Sequence, residues 1–96
     1  MAIQSFADTA TRTLFETGKV VKGVRWGNIK RIACRKLDML DYAVELKDLR
    51  SPPGNRLEKL SGRLAEFYSI RINDQWRITF QWSIHGPEKV SIVDYH

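Results

Sequence analysis

Apolar and polar positions alternate most strictly between Tyr68 and Trp82, where the chain reads YSIRINDQWRITFQW. Tyr68, Ile70 and Ile72 lead in; Trp76, Ile78, Phe80 and Trp82 lead out. Each run therefore has one face for burial and one for solvent. Asn73 and Asp74 between them tolerate turn conformations, so the stretch predicts a β-hairpin. The two apolar sets must share a face. A two-residue loop would set Ile70 opposite Arg77, whereas a three-residue loop, Asn73-Asp74-Gln75, pairs Ile72 with Trp76 and Ile70 with Ile78. The same register sets Arg71 opposite Arg77 on the other face, with Cβ atoms roughly 5 Å apart. If the guanidinium groups stay that close, they repel by about 1–3 kcal/mol. Splayed side chains relieve part of this, and an anion held between the two forks turns the cost into a gain. The alternative is two solvated arginines on a wet sheet face. Either way, the repulsion predicts that removing Arg77 spares the fold.

The remaining patterns are weaker. Ala2 to Phe6 can form a short first strand. Asp8 is the expected N-cap, and Gly18 the expected stop, of a helix carrying Leu14 and Phe15. A second helix is predicted from near Gly27 to about Tyr42, because Ile29, Ile32, Ala33, Leu37 and Leu40 recur at helical spacing. Lys30, Arg31, Arg35 and Lys36 lie mostly off that stripe and form a basic face, either solvated or available to nucleic acid. Ser51-Pro52-Pro53-Gly54-Asn55 can be neither helix nor central strand. Arg56 to Leu60 reads as a short strand, Ser61-Gly62-Arg63 as a turn, His85-Gly86-Pro87 as another turn, and Lys89 to His96 as the last strand, with Val90 and Ile92 on the core parity. The order β-α-α-β-β-β-β predicts an α+β fold: two helices on one face of a mostly antiparallel sheet, and an open second face carrying Arg71 and Arg77.

At 96 residues the chain is expected to be one domain, residues 1–96. Its hydrophobic content of 43% argues for a packed core rather than disorder. A net charge of +5 and a pI near 9.7 favour a polyanionic partner, nucleic acid before an anionic membrane surface. The single cysteine, Cys34, has no internal disulfide partner, no zinc spacing exists, and two histidines are few for a metal site, so no cofactor is expected. With no signal peptide and no long apolar span, a cytoplasmic protein is the expectation.

The chain ends on Asp94, Tyr95 and His96, which bring carboxylate, phenol and imidazole to the end of the last strand. Imidazole titrates near neutral pH and is the commonest general acid or base; a polar tail is the plainer reading. With the paired arginines, these groups fit a metal-free phosphodiester site. RNA supplies its own nucleophile, the 2′-hydroxyl, and a protein need only take that proton, stabilise the crowded phosphate and protonate the leaving 5′-oxygen.

Six stretches carry a resemblance: IQSF, LFETG, KLDMLDYA, SPPGNRLEKLSG, YSIRINDQWRITF and the terminal VDYH. Together they span nearly the whole chain, which resembles the HigB-type toxins of bacterial toxin–antitoxin systems in the RelE/ParE superfamily. The wording SPPGNRLE and IRINDQWR is similar to that of slow-growth toxins in this group. The resemblance implies a RelE-like α+β fold and a toxin that enters the ribosomal A site and cuts translated mRNA. It also implies a HigA-type helix-turn-helix antitoxin, through which alone operator DNA would be bound. Family functional positions fall on Arg77, Asp94, Tyr95 and His96. The chain departs where related toxins carry a histidine, here Glu58, and a lysine, here Ser61. Glu58 then becomes a candidate base, with Lys59 or Arg71 supplying the missing charge. Arg56, Lys59 and Arg63 are the candidate RNA contacts. The same fold also supports two other outcomes: a non-enzymatic inhibitor of DNA gyrase, as in the ParE branch, or a weakly active ribosome- or RNA-binding toxin.

Overall fold

The computed structural model describes residues 2–94. The first helix arises where its end signals stand. Asp8 has extended backbone, and its Oδ1 accepts the Thr11 N–H at 2.7 Å, opening α1, Thr9–Thr17. Gly18 closes it in the left-handed conformation, φ 75°, which a residue without Cβ adopts at little cost. Asp8 also ties the helix to the sheet. Its Oδ2 accepts from Ser91 Oγ, and Thr11 Oγ1 accepts the Ile92 N–H. A 3-10 turn over Gly27–Ile29 leads into α2, Lys30–Tyr42. Ile29, Ala33, Leu37 and Leu40 are buried along its stripe, and Ile32 is half-buried.

Among the described residues four strands follow: β1, Glu58–Lys59; β2, Tyr68–Arg71; β3, Trp76–Ser83; and β4, Gly86–Asp94. They form an antiparallel sheet in the order β1-β2-β3-β4. The hairpin register is the one its pattern requires, with Ile70 opposite Ile78 and Arg71 opposite Arg77. The Asn73 carboxamide oxygen accepts the Gln75 and Trp76 N–H groups, which pins the three-residue loop. Ile70, Ile78, Phe80, Val90 and Ile92 meet Leu14, Ala33, Leu37 and Leu40 in the core. Each large aliphatic or aromatic side chain buried there contributes about 1.5–3 kcal/mol relative to exposure.

Four expectations are corrected. Ala2 to Phe6 is not a strand; Phe6 makes one isolated parallel bridge to Val90. The ladder cannot extend because Pro87 has no N–H and Lys89 sits in a bulge with φ 52°, donating its N–H to Ser5 Oγ. The last turn is shorter than His85-Gly86-Pro87. Pairing runs on to Ser83 opposite Gly86, so β4 begins at Gly86 and only Ile84 and His85 turn. Lys36 is not on a solvated face: it is only 6% exposed. Finally, the second sheet face is not open along its length, because Ser69, Arg77 and Thr79 are buried in it.

Candidate functional site

Arg77 lies mid-sheet on the face away from the helices. A charged side chain there is tolerated only if its donors find acceptors. Its Nε donates to Ser69 Oγ at 2.8 Å, and its Nη2 donates to the Arg56 carbonyl at 2.6 Å. The Ser69 carbonyl lies at 3.5 Å from Nη2, and Glu58 Oε1 is also 3.5 Å from Nη2. The chain segment entering β1 therefore folds against Arg77, which is only 8% exposed. Ser69 was not singled out from the sequence, yet it is legible there. It pairs with Thr79, so it is the diagonal neighbour of Arg77 on the same face.

The two opposed arginines have splayed. Arg71 pairs with Asp74 in the hairpin loop, whereas Arg77 turns toward β1. The like-charge tension is thus relieved by two carboxylates and a carbonyl. Asp94 leaves the sheet on the opposite side from Arg77. It stands opposite Trp76, on the helix-facing parity, whereas Arg77 stands opposite Val93. Asp94 Oδ2 pairs with Arg25 at 3.0 Å and accepts from Gln75 Nε2 at 3.1 Å. The Arg25 guanidinium lies 5.7 Å from the Trp76 ring centroid, within cation–π range. No periodicity or motif marked Arg25, since only the tertiary fold brings residue 25 to residue 94. Tyr95 and His96 lie outside the described residues.

Glu58 is half-exposed beside Arg77 and faces Ser69 across the β1–β2 ladder. Lys59, Arg63 and the Arg56 side chain are exposed around that edge. Lys59 also borders a groove of about 420 Å³ lined by Leu46, Lys47, Arg50, Leu57, Glu58 and Tyr68. Three cations rim an apolar and aromatic lining there, chemistry that suits a nucleotide's phosphate and base. Deeper in, Lys36 Nζ donates to Asn55 Oδ1, and burial, Arg35 and Arg71 together push the Lys36 amine below its ordinary pKa. From the sequence, Asn55 was not singled out as functional, and Lys36 only as part of a basic helix face available to nucleic acid. Among the described residues, no cluster of three His, Cys, Asp or Glu side chains is placed to hold a metal ion, and no helix is long and apolar enough to cross a membrane.

Residues 4–96 match the family of HigB-like toxins, described as the RelE-like toxin of the type II toxin–antitoxin system HigB. Among individual proteins, toxin HigB-1 of Vibrio cholerae is 51% identical over 69 residues, 72% of each chain. Endoribonuclease HigB of Proteus vulgaris is 34% identical over 94 residues, 98% of this chain and 99% of that one.

Proposed function

Because the chain belongs to the HigB-like, RelE-like toxins of type II toxin–antitoxin systems, we propose that it is a ribosome-dependent endoribonuclease that cuts translated mRNA in the A site. The observation that carries this reading is Arg77, a nearly buried guanidinium fixed by Ser69 and the Arg56 carbonyl beside the Glu58 carboxylate and a cation-rimmed groove. A cation already locked in place loses little reorganisation energy when charge builds on a phosphate, and this is the main requirement of a metal-free cleavage. Similarity to a protein named an endoribonuclease supports the same chemistry.

In this mechanism the RNA 2′-oxygen attacks the adjacent phosphorus while Glu58 takes its proton. Arg77 stabilises the five-coordinate phosphate, and Arg71 joins it once the phosphate competes with Asp74. The P–O5′ bond then breaks, and His96 gives a proton to the departing oxygen, leaving a 2′,3′-cyclic phosphate and a 5′-hydroxyl. Tyr95 positions or stacks on the substrate; Arg56, Lys59 and Arg63 hold its backbone. Asp94, paired with Arg25 on the other face, serves by anchoring the end of β4 beside Trp76 rather than by touching the phosphate. No cofactor takes part.

A type II toxin implies a cognate antitoxin. In this reading it is a HigA-type helix-turn-helix protein, operator DNA is reached only through it, and the toxin acts in the cytoplasm. The test is to map mRNA 5′ ends after brief induction and to repeat cleavage on ribosomes programmed with an mRNA carrying one 2′-deoxynucleotide. Discrete in-frame cuts with 5′-hydroxyl ends, abolished by the deoxy substitution, are expected. Ends bearing 5′-phosphate, or DNA breaks with intact mRNA, would overturn the mechanism.

A further inference from the structure

Two buried polar groups, Lys36 and Asn55, lie next to the Arg77 site without contacting Arg77 in any bond described above. Lys36, on α2, is 6% exposed and donates to Asn55 Oδ1, and among the described residues no carboxylate is bonded to it. Asn55 is fully buried. Its Nδ2 donates to the Leu49 carbonyl at 3.1 Å and the Ser51 carbonyl at 3.3 Å, so its side chain closes the SPPGN loop from within. Asn55 leads directly into Arg56, a non-glycine residue at φ 44°, in the left-handed region that L side chains rarely occupy. In that conformation the Arg56 carbonyl reaches Arg77 Nη2 at 2.6 Å, the shortest contact the guanidinium makes among the described residues.

A lysine in this place is costly. Burial and the neighbouring Arg35 and Arg71 all act against its charge, and an apolar side chain replacing a buried charge is often neutral or stabilising. Stability alone does not account for it. We infer that Lys36 and Asn55 are positioning residues for Arg77: Lys36 locks the Asn55 amide, the locked amide holds Arg56 in its left-handed conformation, and the Arg56 carbonyl aims the guanidinium. This rests on the reading that Arg77 acts on the phosphate. Without the relay, Arg77 keeps its bond to Ser69 Oγ but loses its 2.6 Å contact to the Arg56 carbonyl, so the aim of its fork changes.

The experiment measures single-turnover cleavage on programmed ribosomes, with the maximal rate and the half-saturating ribosome concentration separated. The proteins are wild type, Asn55→Ala, Lys36→Met, Lys36→Gln, Arg77→Ala and the double variant Asn55→Ala/Arg77→Ala. Misplacing a reacting group by about 1 Å costs up to about 100-fold in rate, so Asn55→Ala and Lys36→Met are expected to lower the maximal rate roughly 10- to 100-fold with half-saturation unchanged. Lys36→Gln, which still donates to Asn55, recovers most of the rate. In the Arg77→Ala background, Asn55→Ala costs nothing further, because the group it positions is gone.

A second readout is independent of activity. Hydrogen exchange at Arg77 Nε, followed by NMR on the isolated chain, accelerates in Lys36→Met and stays slow in Lys36→Gln. Should Asn55→Ala fail to fold, the two Lys36 variants decide the matter by rate and exchange alone. Arg77→Ala at the wild-type rate would overturn the functional reading on which the relay rests. A slow Arg77→Ala together with full activity and slow exchange in Lys36→Met, or with additive losses in the double variant, would overturn the relay itself.

Discussion

Arg77→Ala tests the hairpin's electrostatics and its packing at once. Seen as a like-charge pair alone, Arg71 opposite Arg77 predicts that the substitution leaves the fold intact or strengthens it. The environment of Arg77 predicts the reverse. Its two short bonds, to Ser69 Oγ and the Arg56 carbonyl, come from a charged donor and are worth about 1.5–3 kcal/mol each. The two contacts at 3.5 Å add little, being long, and Glu58 is half-exposed. Truncation also removes two buried methylenes, about 0.8 kcal/mol each. Against this stands the repulsion from Arg71, about 1 kcal/mol because Arg71 has turned to Asp74. The net is a destabilisation of about 3.5–6.5 kcal/mol, a large part of the roughly 5–15 kcal/mol of a typical domain. For a chain of this size, each kcal/mol lowers Tm by about 4–8 °C, so a fall of about 15 °C is the expected lower end. Urea unfolding measures the free energy directly. Cleavage assayed well below the variant's Tm should still be about 10²- to 10³-fold slow, since the lost group stabilises the transition state. A stability change under about 1 kcal/mol, or a gain, would refute the reasoning from the Arg77 contacts; an unchanged rate in the folded variant would remove Arg77 from the chemistry.

Three further outcomes are expected. The chain ending at Tyr95 should cleave programmed ribosomes far more slowly than the intact chain while binding antitoxin and melting as before; equal single-turnover rates would make His96 a polar tail. Lys36 has a folded pKa below its ordinary 10.5, so the unfolded chain binds more protons between those two values and stability should rise with pH across that window. Urea midpoints of wild type and Lys36→Met measured side by side should differ in pH slope there, and parallel curves would place the Lys36 amine outside the core's electrostatics. Asp8→Ala removes the α1 cap and its bond to Ser91, with an expected loss of about 1–2 kcal/mol by urea unfolding; a loss under about 0.3 kcal/mol would show that α1 needs no tether to β4.

What the sequence determined by itself is local and periodic. The α1 cap and stop, the α2 stripe and the hairpin register follow from neighbours within a few residues, where side-chain period and turn chemistry leave one solution. The register even places Arg71 opposite Arg77, and so one edge of the candidate site. The tertiary structure alone decided where the polar groups go, because that depends on residues distant in the chain. Lys36 reads as solvated by its spacing on the helix, and is buried because the SPPGN loop folds over it and offers Asn55. Arg77 reads as open by strand parity, and is buried because the left-handed Arg56 brings its carbonyl across the sheet edge. Asp94 reads as one of the terminal groups gathered with the paired arginines, and it leaves the sheet on the face away from Arg77 to meet Arg25, 69 positions away. Hydrophobic period says which side of an element is inside. Only the folded chain says which buried charge finds an acceptor, and that satisfaction, rather than charge or parity alone, sets the geometry of the site.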